Sequence, residues 1–144
     1  MKRLPVFVIA IAALTAVLAF GAIGAGAHKK KKDVATTVTI AFDSGSPSGD
    51  YGEYANGTFS GTVGSTKAKC RSGRTVTVQR VGGPTVGTTQ SNDSGNWSVA
   101  ASNVTAGDQY SVTVDQKKIV KKNKKHTHKT KCQAVSETIT IPNP

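Results

Sequence analysis

From Val34 onward, apolar and polar side chains alternate residue by residue. Val34, Thr36, Val38, Ile40 and Phe42 share one face; Ala35, Thr37, Thr39 and Ala41 share the other. A period of two marks a half-buried strand. The pattern stops at Asp43 to Gly57, a Gly-, Ser- and Tyr-rich stretch with Asp43, Asp50 and Glu53, which reads as a long polar loop. Alternation resumes at Phe59, Gly61 and Val63, then at Arg74, Val76, Val78 and Arg80, with Gly64 to Ser72 as a turn region between them. Gly82-Gly83-Pro84 breaks the third strand, and Val86 to Gln90 is a short fourth. The turn Ser91 to Gly95 precedes Trp97, Val99 and Ala101, and Ala106-Gly107-Asp108 precedes Tyr110, Val112 and Val114. Val135, Ile139 and Ile141 close the pattern, with Glu137 in phase. Short strands at regular spacing, separated by Gly, Asn and Asp turns, predict an all-β antiparallel sandwich of about seven strands. No long amphipathic segment lies between them, so a parallel α/β sheet is excluded. The core is expected from Val, Ile, Phe59, Tyr110 and Trp97, the last as a core anchor.

Composition agrees. Leu4, Leu14 and Leu18 are the only leucines of the 144 residues, and all lie near the N-terminus, so the rest is a poor helical bundle and a good source of Val/Thr strands. The N-terminus has its own pattern: a basic Met1-Lys2-Arg3, an apolar run from Pro5 to Phe20, and Ala25-Gly26-Ala27 as a small-residue cleavage site. Residues 1–27 therefore read as a signal peptide, cut near Ala27 to release a secreted or cell-surface protein. Residues 28–33 read as a basic tether and 34–144 as the sandwich domain. Lys29 to Lys32 oppose translocation, and 5–27 is long enough to span a bilayer, so an uncleaved N-terminal membrane anchor is the alternative.

The formal charge is +11, and removal of Lys2 and Arg3 with the leader leaves +9. In an exported chain the only two cysteines, Cys70 and Cys132, are expected to form a disulfide.

The segment Val86 to Trp97, a Thr-rich strand with Asp93-Ser-Gly95 before an aromatic, leads into Ala106-Gly-Asp-Gln-Tyr110-Ser-Val-Thr-Val114. With Arg74 to Val78 as an earlier strand, this resembles the carboxypeptidase-regulatory-like, or transthyretin-like, β-sandwich modules over about residues 57–141. Gly107 stands three residues before Tyr110, where those modules have two. The resemblance implies an Ig-like sandwich with a non-catalytic accessory role at the surface or outside the cell; fold alone does not settle function.

The strongest chemical feature is a basic run. Lys117, Lys118, Lys121, Lys122, Lys124, Lys125, Lys129 and Lys131 fall within fifteen residues, with His126 and His128 and no acid. Such a cluster attracts polyanions: a cell-wall polymer, an acidic polysaccharide or anionic lipid. Without arginine forks or interleaved aromatics it has no equipment for reading bases, so sequence-specific nucleic-acid recognition is not expected. The plainer reading is a solvated hairpin tip that keeps the protein soluble. His126-Thr127-His128 places two imidazoles on one side of a strand and is the residue basis for a metal-binding alternative, but the lysines repel a cation. No nucleophile–base pair, phosphate-cradling loop or paired carboxylates stand out, so neither an enzyme nor a cofactor is expected. The reading is an exported binding module that uses a Lys-rich hairpin on polyanions. Its rival is a structural or protein-interaction module at the cell surface, with a protein partner the residues do not identify.

Overall fold

The computed structural model describes residues 31–45, 55–122 and 127–142. The expected leader, residues 1–27, lies outside them. The described chain forms strands β1 (Lys31–Val34), β2 (Thr37–Val38), β3 (Ala41–Asp43) and β4 (Ala55–Gly64), then a one-turn helix α1 (Ala68–Arg71). It continues with β5 (Thr75–Arg80), β6 (Thr85–Gln90), β7 (Asn96–Val104), β8 (Gln109–Val114), β9 (Lys117–Lys122), β10 (Thr127–Cys132) and β11 (Val135–Thr140). Two antiparallel sheets face each other. One has the order β11-β8-β5-β6; in the other, β4 pairs with β2 and β3 along one edge and with β7 along the opposite edge. The molecule is an all-β sandwich.

The alternating positions carry the core. Val76, Val78, Val112 and Val114 of one sheet are fully buried and, with Tyr110, meet Phe59, Val63, Trp97, Val99 and Ala101 of the other. The Phe59 ring stacks tilted against Phe42 at 4.8 Å and Tyr110 at 5.0 Å, distances at which aromatic pairs add to burial. Trp97 is buried, as the pattern predicts. Ile141 is buried too, whereas Val135 and Ile139 are half-buried and Glu137 is exposed. The turn before β7 is built by Asn92, whose Oδ1 accepts from the Ser94 and Asn96 amides, and by Gly95 at φ 93°.

Four features depart from the sequence reading. The first alternating segment is broken into β1, β2 and β3; between β2 and β3 the Thr39 side chain takes over a ladder position, its hydroxyl accepting the Thr62 amide at 2.9 Å. The Gly64–Ser72 region holds α1, and the basic run folds as the β9–β10 hairpin of a separate three-stranded sheet, order β1-β10-β9. Lys31 to Asp33, read as tether, pair in register with Lys129 to Lys131, so the sheet begins inside that stretch. The central strand β10 runs parallel to β1 and antiparallel to β9.

Gly61 is where the broken edge meets the core. A Cβ there would fall onto the Thr39 carbonyl and against the Trp97 ring. Gly61→Ala should therefore destabilise the fold by about 2 kcal/mol, the scale of core overpacking, read as a lower urea midpoint at unchanged slope.

Candidate anion-binding surface

The small sheet has almost no apolar interior of its own. Only Val34, Cys70 and Cys132 are buried in it, with Ile119 packed against them. What fastens it to the sandwich is covalent and polar. The Cys70–Cys132 disulfide ties α1 to β10, with the two Cα atoms 5.4 Å apart. Lys117 Nζ donates to the Ser72 carbonyl at 2.6 Å, just past the end of α1.

The buried Arg74 makes a third tie. Its Nε and Nη2 donate to the Asp115 carbonyl, Nη2 also to Gln133 O at 2.8 Å, and Nη1 to Cys70 O at 2.7 Å and Thr36 Oγ1 at 3.2 Å. Burial draws the guanidinium below its ordinary pKa, and the Asp115 charge opposes that shift. An arginine nonetheless stays charged.

Strand register divides the basic residues between two faces, because directly paired residues share a side of the pleat. Lys32, Ile119, Lys121, His128 and Thr130 share the side that carries Cys132 and looks toward α1. Lys118, Lys122, Lys129 and Lys131 belong to the other. On the first side Lys121 stands directly across from His128; on the second, Lys118 stands across from Lys131. The like charges of Lys118 and Lys131 so placed oppose pairing, and a bound anion relieves them. Among the described residues of this sheet, Asp33 is the only acid, and it pairs with Lys131.

Of the eight lysines singled out in the sequence, Lys118, Lys121, Lys122 and Lys129 are exposed and Lys131 is half-buried. Lys117 is half-buried and engaged with α1, so it serves the fold. Lys124 and Lys125 lie outside the described residues, as does His126 of the H-x-H pair. His128 is exposed, and among the described residues no group of three or more His, Cys, Asp or Glu gathers as a metal site.

Three lysines that the reading of the basic run missed join this surface. Lys32 comes from β1, and Lys67 and Lys69 come from α1 and its N-terminal flank. Lys67 Nζ reaches Thr130 Oγ1 at 3.5 Å, over the sheet. A signal for the last two was present: they flank a cysteine whose only possible partner, Cys132, lies beside Lys129 and Lys131. Comparison with models of known protein families, with curated proteins and with solved structures finds no match to this chain.

Proposed function

We propose that this protein is an exported, non-catalytic β-sandwich module that binds polyanionic polymers through its lysine-rich three-stranded sheet. The observation that carries this reading is convergence. Lysines from three separate segments, around Lys32, around Lys69 and from Lys118 to Lys131, gather on one small sheet that contributes little to the core. Basic side chains that served only solubility would have no need to converge, since dispersed charges keep a protein soluble equally well.

Export is supported by the disulfide, which suits an oxidising compartment, and by the apolar run at residues 5–20 with its small-residue cleavage pattern. Among the described residues no helix is long and apolar enough to cross a membrane. Lysine presents point charges and no rigid fork, so selection should follow the ligand's charge density and not its sequence.

Titration with a linear polyanion at rising salt tests the reading. About five engaged lysines predict an affinity loss of roughly a hundredfold between 50 and 200 mM monovalent salt. A salt-indifferent isotherm, or no binding at low salt, would overturn it and favour a protein-interaction module with an apolar contact.

A further inference from the structure

We infer that the cleft between α1 and the three-stranded sheet is the seat of the anion, and that it takes a segment of a linear, phosphate-bearing polymer. The inference rests on the polyanion-binding reading above and narrows it to one face and one ligand chemistry.

The cleft has a volume of about 710 Å³. That lies in the range of sites that enclose a ligand of drug-like size, and it is larger than one phosphate group needs. Its walls carry Lys67 and Lys69 on the α1 side and Lys32, Lys121 and His128 on the sheet side, over an apolar floor that includes Ile119. Among the described residues no acidic side chain lines it. The walls are set by covalent structure: the disulfide fixes α1 against β10, so lysines of both elements line one preformed gap. Preorganisation of this kind lowers the ordering cost of binding.

The opposite face is different. Lys118, Lys129 and Lys131 line a smaller hollow of about 390 Å³ around the exposed Val120, with Lys122 on the same side, and Lys129 also borders the α1 cleft. Asp33 pairs with Lys131 on that side and weakens its field. That face offers a smaller hollow walled by the sheet alone, whereas the α1 cleft brings lysines from two separate elements around a larger one. Several ammonium groups around one concavity favour the anionic group of highest charge density, which places phosphate ahead of carboxylate. Lys121 carries the cleft's positive potential along β9 toward the hairpin end, which suits a chain of anionic groups more than an isolated one.

The test compares charge-matched variants of the full chain, with the Cys70–Cys132 bridge intact, using linear inorganic polyphosphate as the probe. Lys67→Gln with Lys69→Gln removes two charges from the cleft; Lys118→Gln with Lys122→Gln removes two from the opposite face. The cleft pair should weaken polyphosphate binding about tenfold and the opposite pair no more than about threefold. A second cleft pair, Lys32→Gln with Lys121→Gln, comes from a different part of the fold and should reproduce the tenfold loss. Thermal unfolding confirms which variants are folded. Equal losses from both faces overturn the cleft assignment while leaving polyanion binding in place. Poly-L-glutamate of matched charge binding as tightly as polyphosphate overturns the phosphate assignment. Failure of the unaltered protein to bind any polyanion at low salt overturns the cleft and the broader function together.

Discussion

Replacing Cys70 and Cys132 together by alanine should lower the stability of this protein by about 4 kcal/mol. The bridge spans 62 residues of sequence, and closing so long a loop removes a large share of the unfolded chain's conformational freedom. A domain of this size has roughly 5–15 kcal/mol in total, so the loss is a large fraction of what holds it folded. In a thermal melt it should appear as a fall of about 20 °C in Tm. The damage should also be uneven. The sandwich keeps its Val, Phe, Trp and Tyr core, whereas the three-stranded sheet keeps only Val34 and Ile119 around the vacated thiols. Hydrogen exchange should therefore quicken most in β9 and β10, while amides of β5 and β8 remain the slowest. A uniform rise in exchange across both parts would show that the bridge acts only through the unfolded chain. An unchanged Tm would show that it does not restrain the chain at all.

The same division explains what could be read from the residues alone. Period-two alternation located the strands around Phe59–Val63, Val76–Val78, Trp97–Ala101 and Tyr110–Val114, because each buries one face against a common core and nothing long-range is needed to see that. The pairing of β1 with β10 was not legible: it joins segments about a hundred residues apart, and the lysines of both read more naturally as solvated charge. Helix α1 was invisible for another reason. Four residues cannot hold a helix by propensity, so it exists through the disulfide and the Arg74 contact to Cys70 O. Since α1 forms one wall of the cleft, the candidate site was half legible: the β9–β10 lysines stood out as a run, and Lys67 and Lys69 did not. Arg74 is the clearest limit. It lies in phase with Val76 and Val78, so alternation points it inward, and only the three-dimensional arrangement supplies the acceptors that let a charge sit there.

Those acceptors make Arg74→Met the second large prediction, a loss of about 3–5 kcal/mol. Arg74 meets the chain wherever it passes between the sandwich and the three-stranded sheet: Thr36 between β1 and β2, Cys70 in α1, Asp115 between β8 and β9, and Gln133 between β10 and β11. One side chain thus sets the position of the small sheet relative to the large ones. Replacing a buried ion pair by apolar side chains can be neutral, because both charges leave together. Here that escape is closed: the partners are mainly backbone carbonyls, which no substitution at position 74 removes, and methionine would leave the buried Cys70 carbonyl and the part-buried Asp115 and Gln133 carbonyls without their donor. Arg74→Lys keeps the charge but supplies three donors from a single nitrogen in place of five from a planar fork, so it should recover only part of the loss. Urea unfolding of the two variants orders them, with Met below Lys below the unaltered protein. Both variants matching the unaltered protein would mean that water satisfies the carbonyls, and the guanidinium would then have no role in joining the sheets. If the order holds, the cleft beside α1 should also lose its shape in Arg74→Met. Polyphosphate affinity should then fall toward the level of the Lys67→Gln, Lys69→Gln pair, although Arg74 itself lies beneath the site and touches no ligand.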